Sequence, residues 1–363
     1  MTPQLLSLKK EISRKKLDAI LISSVANIIY LTNFSYFSHY EREAFLLVLK
    51  NKQYILTDGR YAEAIKENTQ NFDLIEISSS LTFEKTLKNL AKKHRIKYLG
   101  VEENNLTAKE HKKLSRLLND LSHFTVADLR MIKNPSEISA IEEACRLGDK
   151  TFEHVITLIN RGVTERQLGF EIEFFIKKHG ADISFPPIVA FGKNSAIPHH
   201  KSSDKRLTTK DKIVLLDFGA KVNNYCSDMT RTVFFGKPTR KQKRIYETVL
   251  EAQQKAIEYL KSLIINHKSI AAKEVDKVAR NYIISKNYNT IPHSVGHGIG
   301  LEVHEKPIIS PKSKDILKAG MVFSIEPGIY IPGFGGVRIE DLVVLENFSP
   351  RLLTHSSKDI IQL

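Results

Sequence analysis

Cysteine is nearly absent from this chain. Cys145 and Cys226 are the only two among 363 residues and lie far apart, so no framework of disulfides holds the fold. A reducing, cytoplasmic setting fits that usage. Long apolar runs are missing as well: none reaches the roughly 18 residues that a membrane helix needs, and no membrane partner is expected. Lysines precede the apolar stretch 17–22, but Asp18 interrupts it and no small-residue cleavage pattern follows. That stretch therefore reads as part of a folded domain, not as a signal peptide. Repeats of fixed period and low-complexity segments are lacking too.

What is present is ordinary globular composition, with 42% hydrophobic and 26% charged residues. A length of 363 residues exceeds one compact core and predicts two domains. The formal charge of +14 raises the question of nucleic acid, but it is spread along the chain. Residues 1–131 carry 21 Lys and Arg against 15 Asp and Glu, and residues 132–363 carry 34 against 26. The densest cluster, Lys237, Arg240, Lys241, Lys243 and Arg244, falls where a helix should begin and has no interleaved aromatic platform. It reads as a solvated basic face, and no nucleic-acid partner is expected.

The first third alternates short helical and strand patterns. Residues 5–16 and 61–67 read as helices, and 19–23, 44–49, 54–57 and 96–101 as strands, which predicts an α/β domain with a parallel or mixed sheet. A boundary is expected near 130–136, with Pro135 as a chain breaker and Ser136 as a helix N-cap. Helices are predicted over 137–159, 164–179, 241–263 and 271–285. Between them, from Ile188 onward, short strands with Gly and Pro punctuation predict a curved antiparallel sheet covered by helices, so the fold class is α+β.

Four carboxylates stand where carboxylates should not be. Asp217 follows four consecutive aliphatics, and an isolated ionised Asp at the end of such a buried strand would cost several kcal/mol. Asp228 comes eleven residues later, with Asn223-Asn224 between them as turn residues, so a hairpin would set the two acids side by side. Like charges that close require a proton or a cation between them, and a metal answers both. Taken singly, either Asp reads more readily as a strand-end turn former or a cap. Glu326 ends an apolar strand at Pro327-Gly328. Glu340 follows Arg338 at a spacing that places both on one face of a strand, either as a surface pair or as part of a site. His293, His297 and His304 lie within twelve positions, and Gly296, Gly298 and Gly300 flank the middle one. Those glycines exclude a continuous helix, and no Glu lies between His293 and His297, so the helical zinc motif is excluded. Glycines beside a histidine suggest close backbone approach to something bound there.

The segment 293–305 resembles the signature of proline-specific peptidases of the creatinase-like, or pita-bread, metallopeptidase family, the Xaa-Pro aminopeptidases and Xaa-Pro dipeptidases. The family's ordered set of Asp, a second Asp eleven on, His, Glu before Pro and Glu after Arg-Ile is filled here by Asp217, Asp228, His297, Glu326 and Glu340. Residues 188–199, 30–34 and 57–61 are similar to further family segments. The resemblance implies a creatinase-like N-terminal domain over 1–131 and a pita-bread catalytic domain over 132–363. It also implies that Asp228 and Glu340 bridge two divalent ions, that Asp217 chelates one, and that His297 and Glu326 complete the other.

Manganese is the expected metal, with cobalt, zinc or iron as substitutes, because the donor set is oxygen-rich and lacks thiolate. Four carboxylates carry a charge that two divalent ions balance and one does not. The expected substrate is a proline-containing peptide, cut before proline by an aminopeptidase acting at the N-terminus, with a dipeptidase as the alternative. Glu326 is expected to shuttle the proton, His293 or His304 to stabilise the oxyanion, His199 to face the substrate and Arg338 to orient Glu340. His200 directly follows His199, which leaves two candidates for the inward-facing histidine. The resemblance further implies a homodimer. Methionine aminopeptidases share the ligand set but lack an N-terminal domain of this size, and pita-bread binding proteins lose ligands that are all kept here.

Overall fold

The computed structural model describes residues 2–363 apart from 39, 70, 119, 266–268 and 348. It divides into two compact units, Met1–Arg130 and Met131–Leu363.

The first unit is a six-stranded sheet. Its strand order is Asp73–Ile77, Gln53–Asp58, Ala44–Leu49, Ala19–Ile22, Tyr98–Val101 and Asp120–His123. The Ala44–Leu49 strand is antiparallel to both neighbours, and the other pairings are parallel, which makes the mixed sheet expected from the alternating pattern. The central strands are continuous apolar runs because both faces are covered. Ile20, Ile22, Leu46, Val48 and Ile55 pack to one side, whereas Leu21, Leu47, Leu56, Leu99 and Val101 pack to the other. The Pro3–Arg14 helix buries Leu5, Leu8 and Ile12, spaced three and four apart along one stripe.

The first helix of the second unit is Pro135–Ile156. Its cap is Asn134, not Ser136: the Glu137 amide donates to Asn134 Oδ1 at 3.0 Å and Glu137 Oε2 accepts from the Asn134 amide at 2.9 Å. Pro135 then occupies the first helical position, where a missing N–H costs nothing. The strands of this unit pair antiparallel, and the expected sheet is built in segments. One joins Ile188–Phe191, Ile213–Phe218 and Met229–Phe234. Another runs Glu305–Ile309, Gly296–Gly298, Val322–Ile325, Asp341–Leu345 and Pro350–Leu352. A hairpin of Gly328–Ile331 and Gly335–Arg338 adds a third segment. Helices Arg240–Ile265 and Ala272–Ser285 cover them, packing Val249, Ala252, Ala256, Val275 and Ala279 against Phe323, Ile325, Val337 and Val343. No helix among the described residues is long and apolar enough to cross a membrane.

Candidate metal centre

The two aspartates meet through a hairpin of two ladders. Asn223 and Asn224 both take positive φ, 49° and 70°, as a two-residue type I′ turn requires, and Asn tolerates that region better than other side-chain-bearing residues. Val222 pairs with Tyr225 in the outer ladder, and Asp217 pairs with Thr230 in the inner one. Gly219 lies where the ladders join. A Cβ there would sit 1.8 Å from the Ser227 carbonyl oxygen, so only glycine lets the strands close at this point. Asp228 stands just outside the inner ladder, and its buried side chain faces the other ligand candidates.

Glycine acts the same way around His297. A Cβ on Gly296 would meet the Ser324 carbonyl oxygen at 2.0 Å, and one on Gly298 the Lys306 carbonyl oxygen at 2.1 Å. The flanking glycines therefore admit neighbouring strands, not a bound molecule, which corrects the expectation drawn from them. The His297 amide donates to Ser324 Oγ at 3.1 Å, and Nδ1 lies 3.2 Å from the Gly298 carbonyl. Nε2 is left facing Glu326 Oε1 at 3.3 Å and Asp228 Oδ2 at 3.6 Å.

Glu326 and Glu340 both sit in breaks between strands: Glu326 after Val322–Ile325, and Glu340 between Gly335–Arg338 and Asp341–Leu345. Arg338 and Glu340 are both buried, which removes the surface-pair reading. Arg338 reaches Glu340 only through Thr230, which receives a bond from Arg338 Nε at 3.0 Å and donates to Glu340 Oε2 at 2.7 Å. Its guanidinium pairs directly with Asp217 and donates to the Tyr330 hydroxyl at 3.0 Å. Arg231 holds the Glu340 carbonyl oxygen at 2.5 Å.

Of the five ligand candidates, Asp228, His297 and Glu340 each bring a donor atom into one group in which all lie within 4.8 Å of one another. Glu326 joins that group through His297, whereas Asp217 is turned to Arg338. His304 meets the His297 ring edge to face at 4.3 Å between centroids. His293 Nε2 lies 2.8 Å from the Tyr330 hydroxyl, and its Nδ1 is 4.0 Å from Glu326. His200 is already engaged: its Nε2 is 2.8 Å from the buried Glu165 carboxylate, which also accepts from the Phe191 amide and from Asn194, both at 2.8 Å. His199 is exposed, and its charge acts on Asp217 and His304.

Electrostatics show what the pocket lacks. Burial, then the charge of Glu340, pushes Asp228 well above the usual carboxylate range. Burial and the charges of Glu326 and Asp217 raise Glu340 to about 8. Burial also raises Asp217, against the opposing pull of Arg338. Burial would lower His297, but Glu326 and Glu340 outweigh it and lift the imidazole to about 9. Burial likewise works to raise Glu326, and its bond and charge interaction with His297 hold it down at about 2. Asp228 Oδ1 and Glu340 Oε1 are buried without any hydrogen-bond partner among the described residues. Buried acceptors are rarely left so. A divalent cation accounts for the orphaned oxygens, the like charges and the waiting imidazole together, and the oxygen and nitrogen donor set suits such an ion.

Four residues of this arrangement escape a reading of the sequence. Thr230, Ser324 and Tyr330 look like ordinary strand residues, and Glu165 looks like a first-turn helix acid after Thr164. Only their partners distinguish them.

Residues 139–347 match the model of metallopeptidase family M24, and residues 4–132 match that of the creatinase/prolidase N-terminal domain. The Xaa-Pro dipeptidase of Pyrococcus horikoshii is 37% identical over 96% of this chain and 95% of its own. Among solved structures, the Xaa-Pro dipeptidase from Bacillus anthracis aligns with a TM-score of 0.90 at 35% identity, covering 99% of both chains. The X-Pro aminopeptidase from Thermotoga maritima aligns at 0.85 and 34% identity over 96% of this chain and 98% of that one. With residues 4–132 and 139–347 matched and a buried carboxylate cluster in the second segment, this chain belongs to metallopeptidase family M24 and has its two-domain pita-bread fold.

Proposed function

We infer that this protein hydrolyses the peptide bond preceding proline, at a centre of two divalent metal ions. The observation that carries the reading is the pair of buried, partnerless oxygens, Asp228 Oδ1 and Glu340 Oε1, facing His297. Asp228 and Glu340 would be shared by both ions, with Asp217 on one and His297 and Glu326 on the other. Manganese is the ion we expect. Bound there, divalent ions supply an acidified water and polarise the scissile carbonyl.

The chain's own residues do the rest. Glu326, beside His297, is the carboxylate proposed to accept a proton from the attacking water and pass it to the proline nitrogen, a poor leaving group unless protonated. His304, against His297, is the candidate donor to the developing oxyanion, whereas His293 has both ring nitrogens engaged, at the Ser294 carbonyl (2.6 Å) and the Tyr330 hydroxyl (2.8 Å), and would help only by releasing one of them. Burial, with the charges of Glu326 and Asp217 adding to it and Arg338 only partly opposing it, pushes the Tyr330 hydroxyl up to about 12, so it stays neutral. His199 is the substrate-facing histidine, because His200 is committed to Glu165. Arg338 fixes Asp217 directly and Glu340 through Thr230.

An aminopeptidase removing an N-terminal residue before proline is the first reading. A dipeptidase is the second, and the likeness to two Xaa-Pro dipeptidases over nearly the whole of both chains supports it at least as well. Metal-free protein reloaded with single metals and assayed on a Xaa-Pro dipeptide and a Xaa-Pro-Xaa tripeptide decides between them. Absence of turnover on both with every metal would overturn the proline reading.

A further inference from the structure

Away from the carboxylate cluster, the same unit carries a second polar cavity of about 310 Å³ whose chemistry is opposite in sign. Lys193, Lys205, Lys210 and Lys212 line it, together with Asp211 and Gln242. The one acid is already neutralised: Asp211 pairs with Lys205 at 2.7 Å and accepts from the Thr208 hydroxyl at 2.7 Å. Among the described residues, Lys193, Lys210 and Lys212 have no carboxylate partner, so the cavity keeps a surplus of three positive charges.

Gln242 turns this from a basic surface into a site. It is only 7% exposed and stands in the first turn of the Arg240–Ile265 helix. Its Oε1 accepts from the Thr239 amide at 2.8 Å and the Thr239 hydroxyl at 3.0 Å, while its own amide donates back to Thr239 Oγ1 at 3.2 Å. A backbone N–H can only donate, so this capping arrangement settles which end of the side-chain amide is oxygen. The Nε2 group is therefore the end left over: it has no hydrogen-bond partner among the described residues and is open to solvent, not sealed in the interior. The nearby helix N-terminus adds positive potential of its own.

We propose that this cavity binds a compact di- or triphosphate anion, held by Gln242 Nε2 and the amines of Lys193, Lys210 and Lys212. A single orthophosphate would leave much of the volume empty and the charge unbalanced. The short lining, half open to solvent, suits a compact anion better than an extended acidic peptide. This inference does not depend on the peptidase reading.

The test is isothermal titration of the full-length, metal-loaded protein with inorganic pyrophosphate at physiological salt. Pyrophosphate also chelates metals, so Asp228→Asn serves as the control for heat arising at the carboxylate cluster. Gln242→Glu keeps the capping oxygen but replaces the donor with an anion, so the fold should survive, as an unchanged melting temperature would show. Wild type and Asp228→Asn should bind about one equivalent alike, and Gln242→Glu should bind at least about tenfold more weakly. Lys210→Glu, at the exposed rim, should weaken binding in the same direction while leaving peptide hydrolysis unchanged. No saturable heat in wild type, equal affinity in Gln242→Glu, or heat that disappears in Asp228→Asn would each overturn the proposal.

Discussion

Two buried carboxylate sites, one in each unit, behave in opposite ways. Glu102 in the first unit is 5% exposed, and both its oxygens are used. Oε2 accepts from the Ser23 amide at 2.6 Å and the Ser24 amide at 2.8 Å, and Oε1 accepts from Asn27, which Arg130 holds in turn at 2.9 Å. Asp228 and Glu340 are as deeply buried, at 4% and 2%, yet each keeps an oxygen without a donor among the described residues. The lesson is that burial of an acid says little about function, whereas an unfilled acceptor says a great deal. Glu102 is satisfied by protein and needs nothing more. The carboxylates around His297 are satisfied only by something the polypeptide does not supply.

The largest effect expected from this contrast is at the orphaned oxygens. Asp228→Asn or Glu340→Gln should lower Xaa-Pro hydrolysis by about three orders of magnitude or more, with stoichiometric metal lost in elemental analysis. Near-normal turnover in either would erase the distinction between the two sites. Removing metal from wild type with a chelator should likewise abolish hydrolysis reversibly and lower the melting temperature, because an ion bound only by the folded form stabilises it.

A smaller effect is expected at Arg338. Arg338→Lys keeps a charge but loses the planar fork that spans Asp217, Thr230 and Tyr330. We expect activity to fall roughly 10–100-fold, with metal content largely retained. The smallest effects sharpen the comparison by their signs. Glu102→Ala should cost ~1–3 kcal/mol in denaturant unfolding without changing metal content, since it strands several buried donors. In metal-free protein, Asp228→Asn should instead stabilise, by ~1–3 kcal/mol at neutral pH, because Asn can be buried beside Glu340 without the proton uptake that the raised Asp228 requires on folding. Equal signs in the two unfolding curves would break the contrast.

The same contrast explains how much was readable beforehand. Strands such as Ala44–Leu49 and Ile213–Phe218 show in the sequence because every residue in them is buried and all but Asp217 are apolar. The Asn223-Asn224 turn shows because few residues adopt its backbone, and the acids show because they interrupt aliphatic runs. What stays hidden is partnership. Nothing local separates Glu102 from Glu340, because the donors that satisfy the first lie 75 to 79 positions away. Thr230 and Glu165 are equally silent, since their roles depend on contacts with Glu340 and His200. The glycines beside His297 were visible, but a sequence cannot say whether the space they leave is filled by a ligand or by another strand. Here it is strand backbone.

The bond between Thr230 and Glu340 spans 110 positions of chain. On a ribosome, both aspartates emerge long before Glu326 and Glu340 exist to complete the cluster. Contacts of such sequence separation form late, so the acids spend synthesis as ordinary solvated side chains with little grip on any ion. Selection of the metal therefore falls to the finished protein, and the cation pool it meets on release sets what it carries.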